Sequence, residues 1–168
     1  MKAMKPLLMT MLLAVSVGVA AGTRPYDAGA AAGYAELFAD AGGAGAGKAF
    51  HFVSPQAFVD GLAKGEGYVA IDIRTPAETS LVALALEDSL RIPADQIFAP
   101  ANLERIPSDR PVMIICKSGA RAAAVGTALR HIGFDNVYIL QGGIQGLAGY
   151  YGPAEAYSGA VAAGDQGQ

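Results

Sequence analysis

Cys116 is the single cysteine of a 168-residue chain, and it stands in the run Val112-Met-Ile-Ile-Cys116-Lys117-Ser118-Gly119-Ala120-Arg121. An apolar stretch leads into the sulfur and a helix-forming stretch leads out of it. A strand-to-helix turn of this kind aims successive backbone N–H groups inward and forms a concave nest for negative charge. The positive end of the next helix, with its unpaired amides, faces the same spot. A cysteine at the rim is favoured as the thiolate, which is the nucleophilic form. Lys117 and Arg121 add positive charge, and Gly119 allows a sharp backbone path that a side chain obstructs. The chemistry indicated is covalent catalysis by an activated sulfur. The competing reading is an inert cysteine buried at a strand end. A glycine, an arginine and a helix start arriving together in one short loop weigh against it.

Alternating strands and helices position this loop. Ser54-Pro55 supplies a capping serine and a first-turn proline, so Pro55–Lys64 is expected to be helical, with Phe58, Val59 and Leu62 on its apolar face. Tyr68–Ile73 is a short run of β-formers. Thr75-Pro76 opens a second short helix through Glu78, residues 81–92 are ambiguous, and Asn102–Ile106 reads as a helical turn. Val112–Cys116 is a strand, Ala120–Ile132 a helix with Gly133 as its left-handed cap, Val137–Leu140 a strand and Ile144–Tyr150 a closing helix. All-apolar strands alternating with helices predict an α/β fold whose parallel sheet is covered on both faces. Ligands of such sheets bind at the carboxyl ends of the strands, where Cys116 stands.

Composition bounds what surrounds this unit. Hydrophobic residues make up 52% of the chain and charged residues 16%, with a net charge of −3 and no run of Lys or Arg, which argues against nucleic-acid binding. The two histidines, His51 and His131, stand far apart, so no metal site is expected. Residues 1–21 read as an export signal: Lys2 and Lys5, then an apolar stretch, then small residues at Gly18, Ala20 and Ala21. An uncleaved anchor is the alternative, although Pro6–Ala21 is shorter than the about 20 apolar residues of a membrane span. The expected location is therefore periplasmic or secreted, with no stable span after processing. Residues 22–48 read as an Ala/Gly-rich linker with one weak helix near Tyr34–Ala39, residues 49–152 as the folded domain, and residues 153–168 as a flexible tail. One cysteine forms no internal disulfide, so an exported chain must either bury this thiol or use it.

Residues 50–151 resemble the single-domain rhodaneses. Cys116-Lys-Ser-Gly-Ala-Arg121 is similar to the family's Cys-x-x-Gly-x-Arg loop, Asp72-Ile-Arg74 to its Asp-x-Arg, followed by Pro76 and Glu78, and Asn136-Val-Tyr-Ile-Leu-Gln-Gly-Gly143 to the strand and double glycine after the catalytic helix. The resemblance implies a three-layer rhodanese-like domain and a ping-pong sulfur transfer that needs no cofactor. Cys116 takes the outer sulfur of thiosulfate or a persulfide, and cyanide, a thiol or a protein thiol accepts it. Lys117, Ser118, Gly119, Ala120 and Arg121 would bind the substrate, their amides holding the outer sulfur. Asp72 and Arg74 would brace the loop. Arg121 points either into the pocket or outward to a carboxylate. His131 is expected to cap its helix, His51 to lie at a surface or edge, and Gly142-Gly143 to serve close backbone packing. The alternatives are a non-catalytic carrier that holds a persulfide for a partner, and a cysteine phosphatase or arsenate reductase. The phosphatase loop is one residue longer than Cys116–Arg121, and a smaller ring suits a single sulfur. The segment Leu84–Pro93 departs from the family, with only Ile92-Pro93 recognisable.

Overall fold

The computed structural model of the protein describes residues 25–152. The expected signal at 1–21 and the expected tail at 153–168 lie outside them. In chain order the elements are α1 (Ala28–Leu37), a 3₁₀ turn (Gly43–Gly45), α2 (Ala46–Ala49), β1 (Phe52–Val53), α3 (Pro55–Ala63), β2 (Val69–Asp72), α4 (Pro76–Leu81), β3 (Ser89–Arg91), α5 (Pro100–Leu103), β4 (Val112–Ile115), α6 (Ala120–His131), β5 (Val137–Leu140) and α7 (Gly143–Tyr150). The strands form one sheet in the order β1-β5-β4-β2-β3, and every neighbouring pair is parallel.

The continuous apolar runs of β2 and β4 follow from burial on both faces. Successive side chains of β4 alternate. Val112, Ile114 and Cys116 pack with Val125 and Leu129 of α6, while Met113 and Ile115 pack with Phe58, Leu62, Ile144 and Leu147 of α3 and α7. A side chain such as Ile114, fully shielded from water, contributes about 1.5–3 kcal/mol. Local signals set the helix starts. Ser54 Oγ accepts the Ala57 N–H at 3.1 Å, and Gly133 at φ 108° follows the last turn of α6.

Two strands and one helix differ from the sequence reading. Ser89–Arg91, inside the ambiguous 81–92 stretch, pairs with β2 in the register Ala70↔Ser89, Ile71↔Leu90, Asp72↔Arg91. Phe52–Val53 pairs with β5. Both are very short edge strands, held by their neighbour in the sheet and not by an apolar period of their own. Within the expected linker, α1 begins earlier than the weak helix read there, with Asp27 capping it by accepting the Ala30 N–H at 2.9 Å. It lies on α6. Tyr34 stacks on His131 with ring centroids 3.8 Å apart and planes 4° apart. Gly33 permits this approach, because a Cβ there would come within 2.6 Å of the His131 ring. His131 thus does its packing sideways, onto α1. His51 stands at the sheet edge with φ 55°, stacks on Tyr138 and donates from Nδ1 to the Val137 carbonyl at 3.0 Å.

Candidate active site

Register brings the site together. Asp72 lies beside Ile115, and the Ile73 N–H donates to the Ile115 carbonyl at 2.9 Å, so the chain leaving β2 runs next to Cys116. Cys116 is 1% exposed. Its Sγ accepts the Gly119 N–H at 3.1 Å and the Ala122 N–H at 3.4 Å. The N–H groups of Lys117, Ser118, Ala120 and Arg121 have no acceptor among the described residues. Two amides therefore donate to the sulfur and four more stand unpaired in the same turn, a donor ring backed by the N-terminus of the 12-residue α6. Ala122 lies one residue beyond the amides that the sequence singled out. Gly119 makes the turn with φ 92°.

The start of α7 holds this ring open. Ile144 N–H donates to the Cys116 carbonyl at 2.9 Å and Gln145 N–H to the Lys117 carbonyl at 3.0 Å. Tying both carbonyls to α7 turns them away from the sulfur and leaves the amides facing it. Gly142 and Gly143 have φ 70° and 54°. A Cβ on Gly143 would run into the Cys116 carbonyl oxygen, and one on Gly119 would lie 3.1 Å from the Gly142 nitrogen. The double glycine thus serves close packing, as its sequence suggests, and the two loops interlock through backbone alone.

Two ion pairs brace the surroundings. Arg74 Nη2 lies 2.6 Å from Asp72 Oδ2, with side chains 4% and 1% exposed, and the same guanidinium donates to the Val82 carbonyl at 2.7 Å. Hydrogen bonding to Asp72 pushes Arg74 above its usual value. Arg121 turns outward and donates to both carboxylate oxygens of Glu78, at 2.9 and 2.6 Å. Glu78 in turn closes a capping box on α4, its Oε2 accepting the Thr75 N–H at 3.0 Å. The Arg121 guanidinium, with help from the Thr75 amide, holds the Glu78 carboxyl down at about 2, and the same bonds push Arg121 upward. Sequence reasoning noted Glu78 only as part of the motif. The Thr75-x-x-Glu78 spacing was the signal for its capping role, but its partner Arg121 lies 43 residues away.

Lys117 and Ser118 are exposed at the lip, as expected, and Ala120 is exposed at the helix start. A recess of about 250 Å³ opens beside Lys117, its lining including Arg74, Glu78, Leu81, Val82 and Gln145. Among the described residues no cluster of His, Cys, Asp or Glu could hold a metal, and no helix is long and apolar enough to cross a membrane.

A sequence model of the family described as "Rhodanese-like domain" matches residues 54–149. A "Sulfurtransferase" of Allochromatium vinosum is 40% identical over 83 residues, which is 49% of this chain and 74% of that protein. The "Probable adenylyltransferase/sulfurtransferase MoeZ" of Mycobacterium tuberculosis is 33% identical over 92 residues, 55% of this chain, and the matched part is only 23% of that longer protein. The crystal structure of a rhodanese-related protein from Thermoplasma volcanium superposes with a TM-score of 0.52 at 22% identity, covering 61% of this chain and 95% of the other. That likeness speaks for the fold.

Proposed function

The chain belongs to the rhodanese-like domain family, and on that footing we propose that it is a sulfurtransferase working through a persulfide on Cys116. The thiolate attacks the outer sulfur of a sulfane donor, forming an Sγ–S bond as the donor's own bond to that sulfur breaks. The remainder leaves with the electron pair, as sulfite from thiosulfate or as a thiolate from a persulfide. An outside nucleophile, cyanide or a thiol, then takes the sulfur and returns Cys116 to the thiolate. Unpaired N–H groups of residues 117, 118, 120 and 121 hold the charge that develops on the outer sulfur, as an oxyanion hole does.

The observation that carries this reading is the pair of N–H groups, from Gly119 and Ala122, directed at Sγ. A phosphatase reading lacks such support, because the cation it would need, Arg121, is bound to Glu78. The site is proposed to act outside the cytoplasm, on the strength of the signal-like residues 1–21.

The test is sulfur transfer to cyanide or a thiol from both donors, with intact-mass detection of one added sulfur atom. Cys116→Ser should abolish loading and turnover while the fold persists by circular dichroism. A serine variant that still transfers sulfur refutes the mechanism, and a loaded protein that never turns over turns the reading into a carrier. Hydrolysis of p-nitrophenyl phosphate would restore the phosphatase. The N-terminal sequence of the exported protein checks the signal.

A further inference from the structure

This inference rests on the sulfur-transfer reading and narrows its donor. We propose that the donor is a persulfide of low charge, and that Glu78 sets this preference by neutralising Arg121.

The cations around the sulfur loop are Arg74, Lys117 and Arg121. Arg74 is matched by Asp72 in a buried pair at 2.6 Å. Arg121 is matched by Glu78 through two hydrogen bonds. Lys117 is left, an exposed ammonium on the lip with no carboxylate partner among the described residues. The recess is also lined by apolar side chains: Leu81 is 86% exposed and Val82 55% exposed. Bare aliphatic side chains at a reaction mouth offer nothing to a sulfonate and cover well against a carbon chain.

Charge separates the two donor classes. With a protonated persulfide, Cys116 Sγ joins the outer sulfur, the donor's S–S bond breaks, and its electron pair leaves on a thiolate. The proton travels with the transferred sulfur and is lost to water when the new persulfide ionises. A single negative charge is shared throughout. With thiosulfate, a dianion must approach a thiolate and a sulfite dianion must leave, so like charges crowd the same atoms. Such a site needs cations that are free to answer them. Here both guanidiniums already have carboxylates, and Glu78 itself faces the recess.

The test uses the full chain and measures Cys116 loading by quenched-flow intact mass, with 2-hydroxyethyl persulfide and with thiosulfate. Each rate is divided by that donor's rate with free mercaptoethanol, which removes intrinsic reactivity. The normalised preference for persulfide is expected to reach about tenfold or more, the factor that about 1.4 kcal/mol gives. Glu78→Gln keeps an acceptor for Thr75 but frees the Arg121 charge. It should lower the persulfide-to-thiosulfate ratio about tenfold, and thiosulfate loading should then fall steeply with added salt. Equal normalised rates in the wild type overturn the proposal, and so does a glutamine variant that slows both donors in parallel. Should that variant not fold, Lys117→Gln decides: it should slow thiosulfate more than persulfide, and equal slowing overturns the proposal. If neither donor loads the wild type, the sulfur-transfer reading fails together with it.

Discussion

Replacing Gly143 by alanine tests whether the start of α7 shapes the sulfur loop. Gly143 has φ 54°, and its missing side chain leaves room for the Cys116 carbonyl oxygen and for Lys117, whose carbonyl carbon would lie 2.8 Å from a Cβ. An alanine must first adopt the left-handed region, which costs about 1 kcal/mol or somewhat more. It must also displace the loop backbone, which strains or breaks the Ile144–Cys116 and Gln145–Lys117 hydrogen bonds, each contributing about 0.5–1.5 kcal/mol. The expected total is about 3 kcal/mol of lost stability, read from urea unfolding. Moving the two carbonyls also tilts the amides away from Sγ, and a displacement of about 1 Å at a reacting group can cost about a hundredfold in rate. Loading of Cys116 should fall by about that factor. Gly133→Ala is the control. Its φ is 108° but a Cβ there meets nothing within 4 Å, so it should cost stability alone and load at the wild-type rate. A Gly143→Ala protein that loads as fast as the control refutes the claim that the glycine interlock aims the donor ring.

Two other outcomes follow from the ion pairs. Arg74→Leu strands Asp72 in a site where its side chain is 1% exposed, and removing one partner of such a pair costs about 3–5 kcal/mol. Urea unfolding should show this loss, and Asp72→Asn on the same background should recover part of it by removing the orphaned charge. The second outcome concerns acid. The Glu78 carboxyl is lowered from 4.5 to about 2 in the folded chain, so the unfolded chain binds the extra proton first. The stabilisation is fully present above about 4.5 and disappears as the pH falls through about 2. A carbon-detected NMR titration should place the Glu78 midpoint near 2, and Arg121→Gln should return it toward 4.5. A midpoint near the ordinary value in the unaltered protein would show that the pair does not form in solution.

The parts of the fold legible in the sequence are those where a local pattern and a tertiary role coincide. β4, Cys116 and α6 could be read together because an apolar run, a glycine and a helix start are adjacent in the chain. Helix α3 could be read because its cap lies within its own first turn. The edge strands β1 and β3 could not, since Phe52–Val53 and Ser89–Arg91 are too short to show a period and exist through pairing with β5 and β2. The same holds for α1. Its alanines and glycines look like a spacer, and what fixes it is an aromatic stack between Tyr34 and a histidine almost a hundred residues onward. At the site, the residue types of the loop were visible, whereas the outward turn of Arg121 depended on where α4 brings Glu78. The role of Gly143 also needed the fold, because its clash partner belongs to another loop.

The way the donor ring is built has a consequence for how such a site can diversify. The Gly119 and Ala122 groups that donate to the sulfur are main-chain N–H, and the positions of those amides are fixed by glycines at 119, 142 and 143 and by carbonyls bound to α7. Side chains at 117 and 118 contribute nothing to that geometry and stand free at the lip. Reactivity and selectivity are therefore encoded in separate, nearly independent sets of atoms. Mutation at the lip and at the exposed Leu81 and Val82 can change what meets the recess without rebuilding the turn beneath, whereas the unusual 84–93 stretch is tied to the fold through Leu84 and Leu86 against the core, β3 in the sheet and the buried Ile92.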